Sequence, residues 1–179
     1  MRQLSLDAVA RLAVAYWLRD DAIIMVAIAG AESGYIEDRP SSTDVWGMPG
    51  DNDSWRPYSC NQVYSWGLWQ AFMPVHRYLL QEATGSLDPC FWRDYLCDGE
   101  HNAYIAYRIW LSQGFGAWSA YNVGAHRRFL VDATMAVDSV LATPSPAPPP
   151  VPPPGGAPPL TPVEPPWGAV EPPAAAAPP

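Results

Sequence analysis

Lysine is absent from this chain. All ten basic residues are arginine, and they stand against 18 acids for a net charge of −8. With no basic stripe to neutralise phosphates, nucleic acid is not an expected partner. The same balance argues against simple electrostatic capture by an anionic polymer such as a bacterial cell wall. Long apolar runs are lacking too. The longest uncharged one runs only from Ala22 to Ala31, well short of the roughly 20 residues a spanning helix needs. The opening, Met1-Arg2-Gln3-Leu4-Ser5-Leu6-Asp7, does not read as a signal peptide, because an acid and an arginine interrupt the apolar stretch that follows. No membrane segment and no standard export signal are therefore expected.

Cysteine is scarce. Cys60, Cys90 and Cys97 include no CxxC spacing, so a structural zinc site is not expected, and one thiol stays unpaired if a disulfide forms. Cys90 and Cys97 flank an aromatic turn, Phe91 to Leu96, and are close enough to bridge locally; Cys60 paired with either is the alternative. His76, His101 and His126 show no ligand spacing and read as ordinary surface or half-buried residues. Asp51-Asn52-Asp53-Ser54 begins like a calcium loop, but Trp55 and Arg56 stand where an oxygen ligand and a glycine belong. Neither metal nor cofactor is expected.

What is present is apolar and aromatic. The 179 residues are 49% hydrophobic and include nine tryptophans, enough for one compact domain with a sizeable core. Of the 22 prolines, 17 fall in residues 144–179. Proline removes backbone donors and favours extended polyproline II, so that stretch cannot build a core. The chain divides into a folded domain, 1–143, and a disordered, low-complexity Pro-rich tail, 144–179, acting as spacer or docking arm.

Within the domain the patterns are helical. Residues 5–18 read as a helix capped by Ser5, with Asp7 positioned to pair with Arg11. Residues 22–34 are apolar on every side, which predicts a helix at the centre of the core, stopped by Gly34 in the left-handed position. Residues 35–64, rich in Pro, Gly, Ser, Asn and Asp, predict a long irregular loop. Further helices are expected from Pro74 to about Ala83, from Gly99 to Gln113 behind an Asp98 cap, and from about Ala125 to Leu141. The last should turn Phe129, Leu130, Ala133, Val137 and Val140 inward. No strand pattern stands out, so the domain is expected to be mainly α.

Glu32 is the outlier, the only charge between Asp21 and Glu37, at the C-terminal end of an otherwise apolar helix. Burial and the negative end of the helix dipole both disfavour its carboxylate form. A carboxylic acid kept protonated near neutral pH is what cleavage of a glycosidic bond requires of its general acid. The plain alternative is a solvated Glu in a last helical turn.

Three segments follow in order: Glu32-Ser33-Gly34, Ser65-Trp66-Gly67-Leu68-Trp69-Gln70, and Ala120-Tyr121-Asn122-Val123-Gly124. Together they resemble the lysozyme-like superfamily, and most closely the soluble lytic transglycosylase family, with its Glu-Ser, Gly-Leu-Met-Gln and Ala-Tyr-Asn-x-Gly motifs. Asp88-Pro89 and the helix around Asn102 sit where that family has its Asp-Pro element and following helix. Gly114 to Asn122 also looks like phage and actinobacterial variants of the group. The resemblance covers about residues 5–130.

It implies a lysozyme-like helical domain that cleaves the β-1,4 bond between N-acetylmuramic acid and N-acetylglucosamine in peptidoglycan, with glycan strands as partner. Glu32 matches the catalytic acid. Gln70 matches the glutamine near the acetamido group, and Tyr121 and Asn122 match the pair facing the catalytic glutamate. Ser33, Ser65 and Trp69 complete the candidate substrate-binding set. Trp69 is the chosen sugar platform among Trp46, Trp55, Trp66, Trp69, Trp92 and Trp118, several of which must be core. Gly67 and Gly124 are expected to permit close backbone approach.

Two departures bear on mechanism. Trp69 replaces the family's methionine, and the segment from Glu32 to Gly67 is longer than usual and carries Asp38, Asp44, Asp51 and Asp53. An inverting hydrolase needs a second carboxylate to activate water, and one of these would serve a muramidase. The lyase route needs Glu32 alone and is the reading adopted. A virion or tail-associated enzyme is the expected setting, with the Pro-rich tail contacting other virion proteins. A secreted bacterial enzyme is the alternative, and a non-catalytic wall-binding or structural protein is the competing class.

Overall fold

A computed structural model of the chain describes residues 1–42 and 63–143. The chain divides into units Met1–Ser145 and Pro146–Pro179. The second unit and the candidate calcium loop lie outside the described residues, as do Trp46, Trp55, Asp44, Asp51 and Asp53. The described part is mainly helical: α1 (Leu6–Val14), α2 (Arg19–Ser33), α3 (Met73–Thr84), α4 (Pro89–Leu96), α5 (Gly99–Gln113), α6 (Ser119–Asn122) and α7 (Leu130–Ala142). Among these residues no helix is long and apolar enough to cross a membrane.

The α2 helix runs through the centre of the core, as its all-round apolar surface predicts. Met25, Val26, Ala27, Ile28 and Ala29 are inaccessible to solvent, and α1, α6 and α7 pack around it. Its small residues let neighbours come close. A Cβ on Gly30 would stand 2.6 Å from the Tyr35 hydroxyl oxygen and 2.8 Å from the Phe129 ring. Gly34 ends the helix at φ 65°, and Tyr35 follows with the same sign, φ 65°. Two left-handed residues in succession turn the chain sharply back.

Residues 35–41 form no helix or strand, as expected of the loop, but isolated bridges at Ile36 and Pro40 pin them. Leu4 N–H donates to Tyr35 O and Glu37 N–H to Arg2 O, then Gly67 N–H donates to Arg39 O and Ser41 N–H to Ser65 O. The segment is thus stitched to the N-terminal residues on one side and to a hairpin on the other. It carries Glu37 inside, 3% exposed, where the carboxylate pairs with the Arg2 guanidinium and accepts Gly99 N–H at 2.6 Å. Gly99 opens α5, so the buried charge is met by a guanidinium and an unsatisfied helix donor.

Ser5 caps α1 as expected, accepting Ala8 N–H at 3.2 Å, but the helix stops at Val14 instead of reaching residue 18. Trp17 turns inward there against Trp69, at 5.8 Å between ring centroids, and extended Leu18 restarts the chain as α2 at Arg19. The Asp7–Arg11 pair does not form among the described ion pairs. The α5 helix has the expected bounds, with Asp98 accepting from Glu100 and His101 N–H. The expected last helix is divided: Gly124, at φ 75°, leads into a 3₁₀ turn, Ala125–Phe129, before α7. Ala133, Val137 and Val140 face inward as expected, and Phe129 and Leu130 pack partly buried at the margin.

Two elements depart from the sequence reading. A hairpin pairs β1 (Ser65–Trp66) with β2 (Ala71–Phe72), in register Ser65↔Phe72 and Trp66↔Ala71. Two-residue strands are too short for an alternating pattern to register. The segment between Cys90 and Cys97, expected as a turn, is helix α4. Asp88 caps it through Cys90 N–H at 2.9 Å, and Pro89 takes the first position, the pattern that favours a helix start.

The local Cys90–Cys97 bridge is excluded, since Cys97 is free and Cys90 is in a disulfide. The pairing through Cys60 lies outside the described residues. Burial, reinforced by nearby Asp38, pushes the Cys97 thiol up to about 11. The thiolate is the reactive form, so Cys97 in the native protein is expected to alkylate at pH 8 roughly a hundredfold more slowly than an unperturbed cysteine. Timed iodoacetamide labelling checks this, and labelling at the free-thiol rate would refute it.

Candidate functional site

The last turn of α2, the hairpin and the entry to α6 enclose a cleft of about 320 Å³. Glu32 comes from α2, Ser65, Gln70 and Phe72 from the hairpin, and Ala117, Trp118 and Ser119 from the α6 entry; Ser41 comes from the docked segment. Glu32 is half-buried. Its Oε1 accepts Ala120 N–H at 3.1 Å and faces the Ser119 hydroxyl at 3.4 Å. Trp118, the residue before α6, makes no side-chain cap; the glutamate from α2 meets that donor instead. One end of the carboxylate is therefore pinned by backbone.

The hairpin is held by polar contacts that the motif conceals. Asn102, fully buried on α5, accepts Trp69 N–H at 2.9 Å and donates to Trp66 O and Leu96 O, both at 3.1 Å. Trp118 Nε1–H donates to Trp69 O at 2.8 Å. Gly67 lies at φ 88°, and a Cβ there would collide with Asn102 Nδ2 and with Leu96 O. Close approach at Gly67 is as expected. At Gly124 only the Arg127 side chain lies near, at 3.4 Å, so that glycine serves the left-handed turn.

Trp69 is not a sugar platform. It has no exposed surface, and its indole Nε1–H donates to Met25 O at 2.8 Å in the centre of the core. Trp92 is likewise buried, donating to Ser86 O. Trp66 is half-buried and donates to Val63 O. Among the described residues, the tryptophan that lines the cleft is Trp118. Gln70 is placed as expected, at φ 48° in the hairpin turn. Its Nε2 donates to Arg39 O at 2.8 Å and Gly67 O at 2.9 Å. Both amide hydrogens are spent on carbonyls, which leaves Oε1 to accept from a ligand.

Ser65 lies in the cleft wall as expected. Ser33 does not, because it is 1% exposed and its hydroxyl donates to Ala29 O, one turn back in its own helix. The Tyr121 ring stacks on His126 at 4.8 Å and tilts against Phe115 at 5.2 Å; no bond joins its phenol to Glu32 among the described contacts. Asn122 ends α6, is exposed, and donates to Gly116 O at 2.9 Å. The described contacts to Glu32 come from Ser119 and Ala120, just before Tyr121. Ser41 and Phe72 carried no sequence signal beyond their neighbourhood.

Among the described lining residues Glu32 is the only charged one. Hydroxyls, an amide acceptor, two aromatic walls and Ala117 make up the rest, a set suited to a neutral, hydroxyl-rich ligand and unsuited to phosphate. Asp38 is elsewhere. It accepts Arg2 N–H at 2.7 Å and pairs with the N-terminal ammonium at 3.3 Å. Burial opposes its charge, but these contacts outweigh it and hold the carboxyl below its ordinary value. Comparison with family models, curated proteins and solved structures finds no match.

Proposed function

We propose that this chain cleaves the β-1,4 bond between N-acetylmuramic acid and N-acetylglucosamine in peptidoglycan, as a lytic transglycosylase on a lysozyme-like helical fold. The observation that carries the reading is one acid, Glu32, held by Ala120 N–H in a cleft whose other described lining residues are hydroxyl, amide and aromatic groups with Ala117. Glu32 protonates the bridging oxygen. The substrate's own acetamido group supports the oxocarbenium-like centre. The carboxylate then takes the proton of the sugar's 6-hydroxyl as that oxygen closes the anhydro ring. Gln70 Oε1 accepts an amide N–H of the sugar, and the Ser65 and Ser119 hydroxyls bind its oxygens.

Fragments released from peptidoglycan are expected to end in 1,6-anhydro-N-acetylmuramic acid, one water lighter than hydrolytic products. Asp38→Asn should leave both yield and product unchanged, because that carboxylate is engaged with the N-terminal segment. Mass spectrometry of the digest decides. Reducing muramyl ends as primary product would overturn the lyase and favour a hydrolase with its base among Asp44, Asp51 and Asp53. A zymogram without clearing would favour a non-catalytic wall-binding protein. The setting we propose is a virion, which would bring to the host wall a protein whose charge of −8 gives it no hold on an anionic polymer. Residues 144–179 would contact other virion proteins, and secretion by a bacterium is the alternative.

A further inference from the structure

We infer that His126 is a positioning residue for Glu32, acting through the short helix α6. The inference rests on the reading of Glu32 as the catalytic acid. His126 is buried, 7% exposed, and its Nδ1 lies 3.2 Å from Ala120 O. A carbonyl only accepts, so Nδ1 carries the hydrogen and donates. The contact answers a specific need. Gly124 N–H, at the helical spacing to reach Ala120 O, donates to Tyr121 O at 3.0 Å as the last turn tightens. His126 Nδ1–H takes its place.

Ala120 is therefore gripped at both of its backbone polar groups. Its N–H holds Glu32 Oε1, and its carbonyl is held by His126. The grip is anchored to α2 itself. His126 belongs to the 3₁₀ turn Ala125–Phe129, which packs on α2, with Phe129 seated where Gly30 has no side chain. Gly30 lies two residues before Glu32. The circuit is closed: Glu32 to Ala120, Ala120 to His126, and the His126 turn back to the helix that carries Glu32. The Tyr121 ring, stacked on the imidazole at 4.8 Å with 22° between planes, fixes its plane. A one-turn helix has little rigidity of its own, so the location of the Ala120 N–H depends on this clamp.

The test uses the full chain and three variants. Asparagine carries an amide donor near the Nδ1 position; glutamine places it farther out, and leucine has none. His126→Asn is expected to keep kcat within about twofold, whereas His126→Gln and His126→Leu lower kcat by roughly tenfold with KM unchanged, through misplacement of the acid. In parallel, the ¹³Cδ resonance of Glu32, assigned by its loss in Glu32→Gln, should stay in place in His126→Asn and move in the other two. If His126→Leu fails to fold, the Asn and Gln pair carries the comparison. Wild-type kcat and an unmoved Glu32 resonance in His126→Gln would overturn the inference while leaving the function intact. If Glu32→Gln retains activity, the proposed function falls, and the Glu32 resonance in the His126 variants still decides whether the clamp exists.

Discussion

Glu32→Gln is expected to lower glycan cleavage by at least about a hundredfold, the scale on which a positioned general acid contributes. The amide can still accept Ala120 N–H and face the Ser119 hydroxyl, so the contacts that hold Glu32 at 3.1 and 3.4 Å survive the change. What disappears is the transferable proton. Folding should be intact, with a melting temperature within a few degrees of the parent. The comparison separates two roles that the geometry combines. Were Glu32 only a foreign cap for α6, glutamine would serve as well and nothing would change. Turbidity loss of purified peptidoglycan, with thermal unfolding measured alongside, reads both. Near-normal cleavage by the variant would remove Glu32 as the acid.

The largest effect on stability is expected at Asn102. Leucine has the same number of side-chain heavy atoms in a similar branched shape but supplies neither the acceptor for Trp69 N–H nor the donors for Trp66 O and Leu96 O. Removing one partner from buried polar groups costs about 1–3 kcal/mol for each group stranded. A loss of roughly 3 kcal/mol or more is expected, lowering Tm by roughly 10 °C for a domain of this size. Asn102→Asp should be no better, since it sets a carboxylate oxygen against two carbonyl oxygens in a site with no solvent exposure. Because the hairpin presents Ser65, Gln70 and Phe72 to the cleft, either change should also weaken cleavage. A variant melting within a degree of the parent would show that the hairpin is held by other means.

Much of the helical frame was legible because helices announce themselves locally. The all-apolar run of α2, the Ser5 and Asp98 caps and the stop at Gly34 each rest on residues within a few positions of one another. The α4 helix was equally legible in Asp88-Pro89, a capping side chain followed by proline at the first helical position. The hairpin was not legible, since its strands are two residues long and its stability comes from Asn102 and Trp118, 33 and 49 residues from the Trp69 groups they meet. Nor was the fate of Asp38, which depends on the N-terminal residues folding back onto the segment after α2.

For the candidate site the division follows the same lines. Sequence alone determined that Glu32 would end a core helix, a consequence of composition and local backbone geometry. Close approach at Gly67 and a Gly-Leu-Trp-Gln segment near Glu32 were what the resemblance implied. Only the tertiary structure decided which atoms meet. It sent Trp69 into the core, turned Ser33 onto its own helix, stacked Tyr121 on His126, and brought Ser119 and Ala120 to Glu32. A motif specifies where the backbone can go; which face of each side chain reaches the cleft depends on packing between helices distant in the chain, and that no short window of sequence contains.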